Sequence, residues 1–475
     1  MGLTDTDTEG GYAGRARRSI RAFFDFEEYD TDVWTEVLAG LTTFLTMSYI
    51  VVVNPAVLAQ AISIQGYSQG AVVSMLTVVT LISAAVATLV MALYANRPFA
   101  QAPGLGLNAF FAFTVVITLG VSWQTALAAV VVEGVIFMAL TAVGARKYII
   151  QAFPEPVKFA VGSGIGAFLA LIGLQAMEIV VPDPEGTYIT LGQVASNPIA
   201  ILSIVGLFFT LALYARGVRG SILLGILGTA GLGYVVEVAG LVAPGTLTVG
   251  FTPPVYDITP LAGAFVSGFG DVEPFGFALI VFTFFFVDFF DTAGTLTGVG
   301  QAAGFLDDDG DLPEIEKPLM ADAVGTTVGG MLGTSTVTTY IESATGVEEG
   351  GRTGLTALVV ALLFLVSLVF VPLAAAIPQY ASHIALVVIA VVMLQNITAV
   401  QWDDITHAVP AGLTILIMPF TFNIGYGIAA GIISYPLVKV AVGEWRDVRA
   451  TQVVLAGLFV LYFVVQTGGI MQAAV

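Results

Sequence analysis

"MLGTSTVTTYIESATGVEEGG" (331–351) lies among long apolar runs, yet it is made largely of threonine and glycine, with the acid Glu342 at its centre. Glycine and β-branched threonine are poor helix formers. A second stretch of the same kind, "RPFAQAPGLGLNAFFAF" (97–113), carries two prolines and two glycines just before an apolar run. Lipid cannot pair with backbone N–H and C=O groups, so irregular chain at membrane depth must be buried in protein or line a cavity. Two such interrupted segments at corresponding places predict a transporter of inverted repeats, with its site where the broken helices meet.

The rest of the chain fits a membrane setting. Of its 475 residues 57% are hydrophobic and 10% charged, with mean hydropathy +0.94. Soluble domains run near 25% charged. Many apolar stretches approach the ~20 residues of a crossing helix, and the alternating pattern of an outer-membrane barrel is absent. With no cysteine and two isolated histidines, His383 and His407, the chain offers no thiolate or histidine cluster, and neither a metal nor a cofactor is expected. Residues 1–33 lack the apolar core of a signal peptide and read as a cytoplasmic tail, with a short interfacial helix around 18–26.

Net charge is −19, with acids crowded into stretches such as "FEEYDTD" and "FLDDDGDLPEIEK". This acidity resembles that of salt-loving sources, the alternative being ordinary solvated loops. It says nothing about substrate, and nucleic acid is not an expected partner.

Spans are expected near 36–60, 71–94, 104–118, 124–144, 158–176, 198–215, 221–238, 275–297, 318–332, 335–348, 353–374, 383–397, 405–420 and 422–440. With the tail inside, alternate loops carry Arg97, then Arg146, Lys147 and Lys158, then Arg216 and Arg219, then Lys317, then Arg352, with Lys439, Arg446 and Arg449 at the end. The intervening loops contain no Lys or Arg, which obeys the positive-inside rule. The expected fold is therefore an all-α integral membrane protein of about fourteen spans in two inverted seven-span repeats. The run 451–467 is either an interfacial helix or an extra span.

The segment "VFTFFFVDFFDTAGTLTG" (281–298) places Asp288 and Asp291 at i and i+3, with Thr292 and Thr295 on the same helix face. A charged acid at mid-bilayer costs about 2.5–3.5 kcal/mol on insertion scales, so at least one of the pair is expected to be protonated part of the time or to face a wet cavity. Either aspartate could instead bond a neighbouring helix. Glu342 follows the same logic, with a hinge or helix-end role as its alternative. Asn108 lines a pocket or caps its half-helix. Glu133, in "VVVEGVIF", is a proton relay or an interhelical contact, the contact being favoured, and Arg352 holds a loop or helix end. Acids, an amide, threonines and rings such as Phe285, with no Lys or Arg, suit a neutral planar molecule rich in N–H donors.

The stretches "GLTTFLTMSYIVVVNPAVL" (40–58), "APGLGLNAFFAF" (102–113), "FFFVDFFDTAGTL" (284–296), "GTSTVTTYIESATGVEEGGRTGLTA" (333–357) and "GIISYPLVKV" (431–440) closely resemble the AzgA-like adenine/guanine/hypoxanthine permeases of the nucleobase–cation symporter family. The resemblance covers about 34–445. It implies a cytoplasmic tail over 1–33 and a core domain over 34–145 and 275–374. A gate domain would occupy 146–245 and 375–445, with an extracellular loop at 246–274 and an apolar segment at 446–475.

Spans 3 and 10 would each include a short strand, with the base held beside their crossing. Substrate-binding residues would be Asp288, Glu342, Asn108, Gly106, Thr43, Thr292 and Phe285, and Asp288, Asp291 and Glu342 would couple the ion. Uracil-branch relatives place a histidine where Thr292 stands, so a histidine-based coupling step does not carry over. The implied activity is import of a purine nucleobase by symport with a proton or sodium ion, the proton preferred, across the plasma membrane. The amino terminus would be cytoplasmic, and a homodimer could form through the gate.

Alternatives are an anion exchanger or channel on the same fold, a uracil/xanthine-type permease, a membrane enzyme and a non-transporting receptor. The exchanger needs a basic residue at the crossing, and the sequence places none there. The enzyme needs a nucleophile–base pair or metal cluster, for which the histidines and absent cysteines are unsuited. No Walker-type loop is present.

Overall fold

The structure is a computed structural model that describes residues 19–145, 152–183, 189–250, 252–270, 272–307 and 312–467. Most of the expected tail (1–18), with Arg15, Arg17 and Arg18, and the loop residues Arg146 and Lys147 lie outside the described residues. Residues 19–23 are helical, and the following Phe24 and Phe26 are buried against Leu355.

The first half contains α1 (Val33–Leu58), α2 (Gln69–Ala95), β1 (Gln101–Pro103), α3 (Leu105–Thr118), α4 (Trp123–Ala142), α5 (Glu155–Ala176), β2 (Val180–Pro182), β3 (Ile189–Leu191), α6 (Pro198–Ala215) and α7 (Ser221–Val238). The second half contains α8 (Pro274–Ala303), α9 (Glu316–Leu332), β4 (Val337–Thr339), α10 (Ser343–Glu348), α11 (Gly354–Ala375), α12 (Gln379–Ala399), α13 (Ile405–Thr421), α14 (Ile424–Ala441) and α15 (Ala450–Thr467). Among the described residues ten helices are long and apolar enough to cross a membrane, and α3, α13 and part of α15 are shorter apolar helices.

Local chemistry sets the helix ends. Asp32 caps α1 by accepting from the N–H groups of Trp34 and Thr35. Glu273 caps α8 in the same way, Pro274 opens that helix, and Gly304 closes it at φ 71°. The most distant cap is Glu36 on α1, which is wholly buried. It accepts from Arg352 N (3.0 Å), Thr353 N (3.3 Å), Thr356 N (3.2 Å) and Thr356 Oγ1 (2.6 Å), so α1 satisfies the first turn of α11. Arg352 donates to the carbonyls of Val347 and Gly351 and so secures the end of α10.

Strands interrupt both irregular segments. β1 and β4 pair antiparallel, Gln101 opposite Thr339 and Pro103 opposite Val337. The ladder is extended by Tyr340 N to Ala100 O and Gly104 N to Thr336 O, each at 3.0 Å. This pairing gives non-helical backbone its partners inside the protein. The second hairpin, β2 with β3, occupies a stretch read from sequence as a plain loop.

Helices α5, α6, α7, α12, α13 and α14 pack mainly on one another, as do α1, α2, α4, α9 and α11. The second group makes close backbone approaches. A Cβ on Gly134 of α4 would stand 2.8 Å from Thr327 N of α9. Helix α15 packs on α14 and sets Phe459 against Phe282 of α8 at 5.5 Å between ring centroids.

Candidate functional site

A cavity of about 390 Å³ opens beside the strand crossing, a size typical of small-molecule pockets. Its floor is Tyr49 of α1, Gly104 and Gly106 at the start of α3, Asp291 and Thr295 of α8, and the run Thr338–Thr345 through β4 into α10. Ile389, Val392 and Met393 of α12 and the α6–α7 turn, with Arg219, complete the lining. An adjoining cavity of about 320 Å³ shares Asp291, Thr295 and Ile341 and reaches Lys158 and Asn396.

Two acids face the main cavity. Glu342 accepts a 2.6 Å hydrogen bond from the Tyr49 hydroxyl. Asp291 lines both cavities and has no hydrogen-bond partner among the described residues, so both its oxygens stay available to a ligand. Tyr340 donates to Pro103 O at 2.6 Å, and the hydroxyls of Thr46 and Thr345 meet at 3.1 Å. The wall is thus rich in acceptors and hydroxyls, with aliphatic side chains opposite. Such a surface receives N–H donors on a flat neutral molecule.

The other expected residues stand behind this floor. Asp288 is fully buried and accepts from Thr326 (3.3 Å) and Thr292 (3.5 Å). Thr292 also bonds Asp322 at 2.8 Å and Thr338 at 2.7 Å. Asn108 bonds Ser335 and, at 3.5 Å, Pro103 O, and so braces the two strand segments against each other. Thr43 is buried beneath α10 beside Gly346. Phe285 packs against Phe137 and Phe289, each at 5.7 Å. Of the expected set, Asp291, Glu342 and Gly106 border the cavity, while Asp288, Asn108, Thr43, Thr292 and Phe285 do not.

The phenylalanine belt is packing. Phe284 meets Phe110 of α3 at 4.7 Å, and Phe286 meets Phe153, just before α5, at 4.4 Å. The expectation of a pocket without Lys or Arg needs correcting. Arg219, paired with Glu349, borders the main cavity, and Lys158 borders the adjoining one, because long basic side chains at helix ends reach inward from the loops.

Asp322 on α9 was missed by the sequence reading. Its Oδ1 accepts from Thr339 N (2.8 Å), Thr339 Oγ1 (2.9 Å) and Gln101 Nε2 (3.1 Å), and its Oδ2 accepts from Thr292. It therefore clamps β4 to α8 and α9. An acid inside a span is a signal in its own right, and "MADAVGTT" (320–327) displays one. Tyr49 and Tyr340 gave no comparable signal within apolar or threonine-rich surroundings.

Comparison with known proteins places this architecture. The Xan_ur_permease profile, described as the Permease family, matches residues 35–430. A putative permease of Methanocaldococcus jannaschii is 44% identical over 94% of this chain and 99% of its own. The adenine permease AdeP of Escherichia coli is 39% identical over 94% of this chain and 96% of its own. The guanine/hypoxanthine permease PbuO of Bacillus subtilis is 41% identical over 92% and 98%.

Among solved structures, the transmembrane domain of the cyanobacterial bicarbonate transporter BicA matches with TM-score 0.57 at 17% identity, over 84% of this chain and 97% of that one. SLC26A9 matches with TM-score 0.59 at 11% identity, over 93% and 73%. At such identities these two show the fold alone. The chain belongs to the nucleobase permease family, in the branch that resembles the adenine and guanine/hypoxanthine permeases, and is a multi-pass membrane protein.

Proposed function

We propose that this protein carries purine nucleobases across the plasma membrane by proton symport with alternating access. The observation that carries the reading is the cavity at the strand crossing, where Asp291 and Glu342 present carboxylate oxygens, Arg219 of the α6–α7 turn being the basic side chain among its described lining residues. The N–H edge of a purine meets those oxygens, and the aliphatic wall of α12 covers its face. Asp291 has free acceptors, and Glu342 is oriented by Tyr49. An anion would meet two acids there, which disfavours the exchanger reading.

The fourteen-span reading in two inverted repeats is supported by the equivalent strand–helix breaks at β1–α3 and β4–α10. The core and gate division is supported by the two helix groups that pack internally. The α6–α7 turn, which carries Arg216 and whose Arg219 lines the cavity, supports by the positive-inside rule the reading of a cytoplasmic mouth on this side and an inward-open conformation. In the alternating cycle, base and cation bind from outside, the core moves against the gate, and both leave through this mouth.

The test is uptake of radiolabelled adenine, hypoxanthine, guanine and uracil into vesicles under imposed proton or sodium gradients, for wild type and Glu342→Gln. Gradient-driven purine uptake that is lost in the variant is expected. No accumulation of any base by folded, inserted wild type would refute the assignment.

A further inference from the structure

Behind the cavity floor, three acids from three helices meet: Glu133 of α4, Asp288 of α8 and Asp322 of α9. All three have 0% exposure. The close approach of α4 to α9 at Gly134 brings Glu133 into this place. Its carboxyl group faces that of Asp288 and lies within electrostatic reach of Asp322.

The three are not alike. Asp322 spends its oxygens on β4, Gln101 and Thr292. Asp288 receives two long hydroxyl contacts. Neither oxygen of Glu133 has a well-formed hydrogen bond among the described residues, and the neighbouring Thr336 hydroxyl is also buried and unpartnered. Among the described residues, the charged groups that act on these three are one another and Asp291. Arg219, Lys317 and Lys439 pair elsewhere, with Glu349, Glu314 and Glu444.

Three carboxylates in one dry pocket cannot all be ionised without a compensating cation. Among the described residues no group of three or more His, Asp or Glu side chains is arranged to hold a metal ion. Two facing carboxyl groups are instead suited to sharing one proton.

We infer that Glu133 and Asp288 form the site of the transported proton, separate from the nucleobase cavity, with Asp322 linking that site to the strand crossing. The inference rests on the symport reading and refines it. One O–H bond forms when the proton enters from outside and breaks when it leaves inside, and nothing is oxidised or reduced. Occupancy reaches the cavity by two short routes. Asp288 lies three residues before Asp291 on the same helix, and Thr292 joins Asp288 and Asp322 to Thr338, which borders the cavity.

The experiment compares wild type with Glu133→Gln in lipid vesicles, by two readouts. In transport, the variant is expected to lose accumulation under a proton gradient, and its purine affinity should vary less than about threefold across a pH range where wild type varies about tenfold. Wild-type accumulation and pH dependence in Glu133→Gln would overturn the inference. If Glu133→Gln does not insert, Glu133→Asp replaces it, with a displaced pH profile expected and an unchanged one decisive against.

The second readout needs no substrate: the infrared carbonyl band of a protonated carboxylic acid, recorded across a pH titration. Loss of a titrating band in Glu133→Gln supports the site, and an unchanged band refutes it. A wild type that transports no purine, yet loses the band on substitution, fails the nucleobase reading and leaves the proton site standing.

Discussion

Tyr49 and Glu342 stand 293 positions apart in the chain and meet through a 2.6 Å hydrogen bond at the edge of the cavity. The contact joins α1 to the turn between β4 and α10, and it leaves one carboxylate oxygen of Glu342 for a ligand. Tyr49 is a positioning residue here: it fixes the direction in which Glu342 presents that oxygen.

Tyr49→Phe removes the hydroxyl and keeps the ring. A hydrogen bond to a charged group contributes about 1.5–3 kcal/mol, so purine KM should rise at least about tenfold. Maximal velocity should change little, and the melting temperature should fall modestly with the lost hydrogen bond. Initial-rate kinetics on reconstituted protein check this, and a fall in velocity with unchanged KM would count against the positioning role.

Gly106 is fitted to its place by sterics. A Cβ built there would lie 2.7 Å from Ile165 Cγ2 on α5, where the α3 segment touches the helix group that contains α5. Gly106→Ala should slow transport severalfold by obstructing movement between the groups. Adding Ile165→Ala should restore part of the rate. A double-mutant cycle measures the coupling, and purely additive losses would mean that the clash is relieved elsewhere.

Asp32 links stability to pH at the membrane edge. The Thr35 hydroxyl, then the N–H groups of Thr35 and Trp34, hold its carboxyl below the usual value of 3.8. The folded state therefore prefers the ionised form. Its contribution is present at neutral pH, starts to fade below the unfolded value near 4, and is gone below the lowered folded value. Thermal melts of wild type and Asp32→Ala should differ at pH 7 and converge under acid. A constant gap would show that the cap acts without its charge.

Much of this was legible in the sequence, because the membrane limits what a chain can do. Gly/Pro and Gly/Thr interruptions in apolar surroundings announced the two breaks, and β1 and β4 lie within them. Acids inside spans announced chemistry, and Asp291 and Glu342 border the cavity. Helical spacing could not tell Asp288 from Asp291. Both lie on one broad face, and which of them meets water depends on how α4, α9 and β4 pack behind α8. Phe285 illustrates the same limit, since a ring inside a phenylalanine run can serve stacking or packing with identical local sequence. The Asp322 clamp depends on a strand pairing across 238 positions, between Gln101 and Thr339, which no local pattern encodes.

The Glu36 clasp has a consequence for biogenesis. Glu36 enters the bilayer with α1, while its donors at Arg352, Thr353 and Thr356 emerge some 316 to 320 residues later. Asn54 on the same helix likewise waits for Thr334, 280 residues on. During synthesis α1 therefore carries an acid without its donors and an amide N–H without one of its acceptors through a hydrocarbon setting that offers neither. The nascent first half has reason to linger at the insertion machinery or at the lipid headgroups until the second half arrives. Maturation of this protein is then a closing of its two halves around α1, which reaches its final surroundings only once the second half is in place.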